Sequence, residues 1–170
     1  MRIRRYIMAL ATTAVAAGCS ADSTTGLALS ESRVAVPLKG NCTTTSTAIP
    51  VAPGQLRILV NGQCQFTHLG TTRFFADQVA NIAGGTLTGS NVFTAANGDQ
   101  LFARNDGPLG APLNGILTVG GVVTFTGGTG RFANASGQGQ FSGEVNIIAR
   151  TGTDSWEGML LYRASDAASP

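Results

Sequence analysis

The stretch Gln55-Leu56-Arg57-Ile58-Leu59-Val60-Asn61-Gly62-Gln63-Cys64-Gln65-Phe66-Thr67-His68 carries two signals at once. Leu56, Ile58 and Val60 recur at the period of a strand. Asn61-Gly62 is the strongest short-range signal for a two-residue hairpin turn, because both turn positions need positive φ. The residues therefore predict a strand over 55–60, a tight turn, and a return strand over 63–68. In such a hairpin Cys64, Phe66 and His68 share a face with Arg57 and Leu59, while Leu56, Ile58 and Val60 lie opposite with Gln65 and Thr67. Each face is mixed, so alternation alone does not say which one looks inward.

The same period recurs to the end of the chain, at Val123 and Phe125, at Phe141, Val145 and Ile147, and at Trp156, Leu160 and Tyr162. No window shows a helical period. A second pair, Asn97-Gly98, is expected to join strands over 86–96 and 99–104. Further strands fall near 71–79, 115–126, 137–149 and 153–163, with 107–112 as a loop. Eight antiparallel strands are the number at which a small sheet closes on itself and abolishes its edges. The expected fold is all-β, a single antiparallel eight-stranded up-and-down β-barrel over 39–165, with a β-sandwich as the alternative and 166–170 as a disordered tail.

The amino terminus reads differently. Arg2, Arg4 and Arg5 precede an apolar run from Ile7 to Ala17, and small residues lead to Cys19, the layout of an export signal over 1–18. The apolar run is shorter than the roughly 20 residues that a spanning helix needs. Val15-Ala16-Ala17-Gly18-Cys19 resembles the bacterial lipobox, with Ala16 where leucine is preferred. That resemblance implies acylation of Cys19, export, and a lipid anchor in the cell envelope. With Ser20 next to the cysteine, it implies the outer membrane if the source is Gram-negative. Residues 19–38 are small and polar and read as a flexible tether.

If Cys19 is acylated, Cys42 and Cys64 remain as an even pair in an oxidising setting, and a disulfide is the leading expectation. It would stabilise by about 3 kcal/mol and staple the segment before the barrel onto the first hairpin. A metal site has only His68 and no further thiol to draw on, so none is expected, nor any other cofactor. Removing the leader lowers Lys+Arg from 11 to 8 against 9 acidic residues. The remaining cations are scattered singly, which excludes a nucleic-acid footprint.

The run Thr126-Gly127-Gly128-Thr129-Gly130-Arg131-Phe132-Ala133-Asn134-Ala135-Ser136-Gly137 is no phosphate loop, because neither Lys-Ser nor Lys-Thr follows and no helix opens there. It reads as a glycine turn with Phe132 plugging the end of a barrel. Gly127, Gly128, Gly130, Phe132 and Gly137, with Thr129 and Ala135 between them, are similar to the signature turn of dirigent proteins and their allene oxide cyclase-like relatives. A weaker likeness over about 55–163, including Thr67-His68-Leu69-Gly70 and Ala95 to Gln100, is to exported bacterial barrels. The resemblance implies an eight-stranded barrel with a lumenal pocket, often in trimers. It also implies acidic and other polar groups inside that steer bound intermediates, although none of those groups aligns to a position here.

No acid/base pair or nucleophile motif stands out, so no catalytic residue is assigned. Asp99 and Asp106 have turn explanations. Glu144 and Glu157 alternate against their strands' apolar sets and are expected in solvent. His68, Phe66 and Trp156 are the candidates for lining a pocket. The leading expectation is a non-enzymatic, lipid-anchored module that binds a small apolar ligand or an envelope partner, as a monomer, dimer or trimer. The alternatives are a dirigent-like or cyclase-like catalyst and a structural protein with a solid barrel core.

Overall fold

The computed structural model describes residues 33–163. They form β1 (Arg33–Ala52), β2 (Gln55–Phe66), β3 (Gly70–Asn81), β4 (Thr86–Ala95), β5 (Gln100–Pro108), β6 (Ile116–Gly128), β7 (Ser136–Asn146) and β8 (Thr151–Arg163), with a 3-10 turn at Gly130–Phe132. Every strand pairs antiparallel with its neighbour in sequence, and β1 pairs with β8, so the sheet is a closed up-and-down barrel. The signal segment 1–18, the acylation site Cys19, residues 19–32 of the expected tether and the tail 166–170 lie outside the described residues.

Two expectations are corrected. The barrel begins at Arg33 rather than after residue 38, because residues 33–38 pair with β8 from Arg33↔Arg163 to Leu38↔Gly158. Val36 and Leu38 alternate inward there, and Leu38 is buried. The segment Arg33-Val34-Ala35-Val36-Pro37-Leu38 is itself largely apolar, and without it β8 would present an unpaired edge.

The second correction concerns Asn61-Gly62, which is not a turn. β2 runs through it unbroken, with Asn61 opposite Thr45 and Phe75, and Gly62 opposite Thr44 and Phe74. A strand flanked on both sides by long partners gains hydrogen bonds along its whole length, which a local hairpin would forfeit. Gly62 serves close approach: a Cβ there would collide with the Thr43 carbonyl oxygen. The expected number of strands holds because two changes cancel. One expected hairpin becomes the single strand β2, and β1 is added before it.

Continuity through Asn61-Gly62 also settles the faces. Val60, Cys64 and Phe66 all point inward with Leu56 and Ile58, whereas Arg57 points outward. Cys42 and Cys64 are directly opposed in the β1–β2 register and form a disulfide. It ties two adjacent barrel strands, not a pre-barrel segment to a hairpin.

One end of the interior is filled. Trp156 packs against Phe141 at 5.0 Å, Phe93 at 5.3 Å and Phe74 at 5.8 Å between ring centroids. Phe66 and Phe74 flank Phe93 in turn. Below this layer the glycine turn inserts Phe132, which is 0% exposed, against Tyr162. Gly127, Gly130 and Gly137 hold positive φ around it. Gly128 and Gly130 give close approach to the Gln100 backbone and the Asp99 carboxylate. This is the plug expected from the glycine-rich run.

At Asn97-Gly98 the chain does turn. The Gly98 N–H donates to the Ala95 carbonyl at 2.9 Å, and Gly98 has φ of 90°. The two Asn-Gly pairs should therefore answer mutation oppositely. Asn61→Thr, a change to a strand-favouring residue on an exposed strand position, is expected to leave the denaturant midpoint unchanged or raise it slightly. Gly98→Ala is expected to destabilise by about 1 kcal/mol or more, because alanine resists positive φ. Chemical unfolding of both variants checks this, and a clear loss with Asn61→Thr would contradict the continuous strand.

Candidate ligand-binding lumen

Above the aromatic floor the interior is hollow. A cavity of about 710 Å³ opens between the β1–β2, β3–β4, β5–β6 and β7–β8 connections. Its size excludes a solidly packed core. The walls are mostly aliphatic: Leu56, Ile58 and Val60 from β2, Leu117 and Val119 from β6, and Val145 from β7. These positions are inward because pleating sends alternate residues inside, and the closed sheet carries that alternation round the ring.

A few polar groups interrupt the apolar wall. Thr44 and Ser46 come from β1, Gln78 from β3, and Asp154 from β8. Asp154 is two residues before Trp156 on the same inward face. Its register partner on β7 is Gly143, where a Cβ would collide with Asp154 Oδ1, so the missing side chain makes the room that the carboxyl occupies. Asp154 makes no ion pair or hydrogen bond with the described residues. Burial without a compensating charge disfavours its ionised form and pushes its pKa from 3.8 up to about 6. Trp156 lines the cavity, and its indole N–H is buried without a hydrogen-bond partner.

The opposite wall holds an amide cluster. Asn91 Nδ2 donates to Asn105 Oδ1 at 2.9 Å, and Gln78 Nε2 donates to the same oxygen at 3.4 Å. All three side chains are buried. Asn91 Oδ1 and Asn105 Nδ2 have no protein partner. The lumen thus combines apolar area with a protonatable carboxyl, an indole donor, hydroxyls and amides, the composition of a small-molecule site.

The residues named from sequence separate in space. Trp156 lines the lumen. Phe66 belongs to the aromatic floor beneath it. His68 is not a pocket residue: it is exposed, in the β2–β3 turn at the plugged end, with φ of 59°. Only the hairpin reading of Asn61-Gly62 carried it along a strand. Glu144 and Glu157 are exposed, and Glu157 pairs with Lys39 at 2.6 Å on the outer wall. No group of three or more metal-ligating side chains occurs among the described residues.

Asp154 was not singled out by sequence. Its alternation with Trp156 and Leu160 was the available signal, since it falls on their face rather than against it.

Structural comparison places the barrel among known ones. The pterocarpan synthase dirigent protein GePTS1 superposes with a TM-score of 0.56 at 10% identity, over 79% of this chain and 93% of its own. The fold is dirigent-like. A second pterocarpan synthase dirigent protein, PsPTS1, gives a TM-score of 0.50 at 12% identity, over 79% of this chain and 98% of its own. No family model matches the chain, and no curated protein matches it. At these identities the likeness extends to the dirigent-like architecture alone.

The Asp154 carboxyl has a measurable signature. Below about pH 4 it is protonated in both the folded and the unfolded chain. Between about pH 4 and 6 the unfolded chain ionises first, so stability falls as pH rises, by at most about 3 kcal/mol, and then levels off. Asp154→Asn is expected to match the wild type near pH 4 and to exceed it in stability at pH 8. Denaturant unfolding at the two pH values tests this, and an equal pH dependence in both proteins would place the carboxyl in water instead.

Proposed function

We propose that the barrel binds a small, largely apolar molecule in its lumen, and that Asp154 and the Trp156 indole meet an oxygen on that molecule. The observation that carries this reading is the cavity of about 710 Å³, open at one end, with aliphatic walls and a carboxyl inside whose ionised form burial disfavours. The indole N–H is a donor, and Asp154 becomes a second one below about pH 6, which suits a ligand with a carbonyl, ether or hydroxyl oxygen.

On this proposal the domain works in an exported setting, held to the envelope membrane through acylated Cys19. The Cys42–Cys64 disulfide supports that setting, because such bonds persist in oxidising compartments.

A second reading is favoured by one observation. A carboxyl with a pKa near 6 inside an apolar lumen is poised for proton transfer at neutral pH, and the fold is shared with proteins described as pterocarpan synthases. On this reading the barrel steers a bound reactive intermediate, with Asp154 as proton donor. The two readings share the site and differ in whether the ligand leaves unchanged.

Native mass spectrometry of the purified chain is expected to show a co-purified ligand, and a neutral dye such as N-phenyl-1-naphthylamine is expected to brighten on binding. Filling the lumen with Val145→Phe and Ile58→Phe together should weaken dye binding by about tenfold or more while the barrel's circular dichroism is retained. Undiminished binding in that variant would refute the lumen site. Conversion of the bound ligand by the wild type but not by Asp154→Asn would select the catalytic reading.

A further inference from the structure

The mouth of the lumen gathers exposed aliphatic side chains in one place. Six aliphatic side chains stand exposed around it, Ile49 and Val51 at the end of β1 and Ile82, Leu113, Ile147 and Ile148 on the β3–β4, β5–β6 and β7–β8 connections. Leu113 is 74% exposed and Ile148 81%. They come from four separate parts of the sequence, so their gathering is a property of the fold.

The connections are tied into one crown by backbone hydrogen bonds. Ile82 N donates to Gly54 O, Leu109 N to Gly85 O, Ile147 N to Gly115 O, and Ser46 N to Arg150 O, all at 2.8–2.9 Å. The aliphatic groups are therefore presented on a braced ring rather than on independent loops.

Charge is distributed as unevenly as apolar area. Residues 47–56, 81–86, 108–116 and 146–151 contain no carboxylate and a single cation, Arg150. Arg150 lines the mouth and has no salt-bridge partner among the described residues. Arg57, the next cation down the wall, is held by Asp77 with Nε to Oδ1 at 2.8 Å. The plugged end differs, carrying Asp99, Arg131 and His68.

We infer that this crown docks on the surface of a lipid bilayer, with the aliphatic ring entering the interface and Arg150 meeting anionic headgroups. An apolar patch of this kind marks an interaction site rather than ordinary surface. The absence of carboxylates is what an anionic surface selects. The opening at the centre of the crown leaves a rigid protein partner little to pack against.

Strand addition is disfavoured as well. Beyond Ser46 the β1 edge has no β8 partner, and Pro50 removes a backbone donor from that edge. The contact is confined to the mouth. The outer wall exposes Phe75, Val79, Val122 and Met159, but these are interspersed with Thr43, Gln63, Gln65, Arg73 and the Arg57–Asp77 pair and do not form the continuous apolar band of a barrel that crosses a membrane. Docking rests on the crown alone. That the lumen ligand then enters directly from the bilayer rests additionally on the reading of the lumen as a binding site.

The test places an environment-sensitive fluorophore at one end or the other of the full chain carrying Cys19→Ser, through Ile148→Cys at the mouth or Asn134→Cys at the plugged end. On adding vesicles of phosphatidylethanolamine and phosphatidylglycerol, the label at position 148 is expected to brighten and shift to the blue while that at 134 does not. Adding Leu113→Asp and Val51→Asp should weaken the response by about tenfold or more. Arg150→Gln should weaken it by about fivefold on anionic vesicles and leave it unchanged on phosphatidylcholine.

An equal response at both ends would overturn the proposal, because the chain would then adhere without orientation. So would no response at 148, or a response at 148 that grows with protein concentration in the absence of vesicles, which would make a second copy the occupant. Dye binding in the lumen is measured separately, so failure of docking and failure of the lumen reading are told apart.

Discussion

Closure of the sheet depends on β1, whose backbone is shared between β8 and β2 over the stretch from Gly40 to Thr45. Its first residues pair only with β8 and its last only with β2, so the strand acts as a splice between the two ends of the sheet. Such sharing demands close approach, and glycine permits it: a Cβ at Gly40 would collide with the Phe66 ring, and one at Gly62 with the Thr43 carbonyl. The Cys42–Cys64 disulfide lies within the shared stretch. Once β1 is placed, every strand has two neighbours, and the alternation of each is locked relative to all the others.

The lumen and its crown follow from that lock. Because β1 continues past β8, its hairpin with β2 projects as part of the crown and carries Ile49 and Val51 into solvent. Because β7 and β8 are registered with Gly143 against Asp154, an acidic side chain fits inside a wall that is otherwise aliphatic nearby. The interior is graded along its axis, from the Phe132 plug through the aromatic layer around Trp156 to a hollow upper half. The lumen is hollow only where the inward residues are of modest size, while the aromatic side chains lie lower. Among the polar groups on these walls Asp154 is perturbed, its burial disfavouring the ionised form.

Part of this was legible in the residues. Val123 with Phe125, and Trp156 with Leu160 and Tyr162, announce half-buried strands. The glycines from 127 to 137 announce a tight end turn, and Cys42 and Cys64 are legible as a pair. The errors arose where a local signal competed with pairing. Asn61-Gly62 has the composition of a turn but lies between two long strands, and read as a turn it puts Cys64, Phe66 and His68 on the face of Arg57, whereas the paired strand sends Cys64 and Phe66 inward and leaves His68 exposed. Asp154 was overlooked for a related reason: an acidic residue in a strand suggests solvent until the position of its inward neighbours is fixed.

The sequence by itself determined that the described chain is a set of antiparallel strands, where the plug lies, and which two cysteines pair. Those properties are written in nearest-neighbour chemistry, in side-chain period, glycine conformational freedom and cysteine pairing. Only the tertiary structure decided that Asn61-Gly62 is a strand interior, that residues 33–38 complete the ring, that Asp154 faces a hollow lumen, and that six aliphatic residues from four separate parts of the sequence surround its mouth. Each of these depends on which backbone lies alongside which, and that is settled by closing the whole sheet rather than by any segment alone.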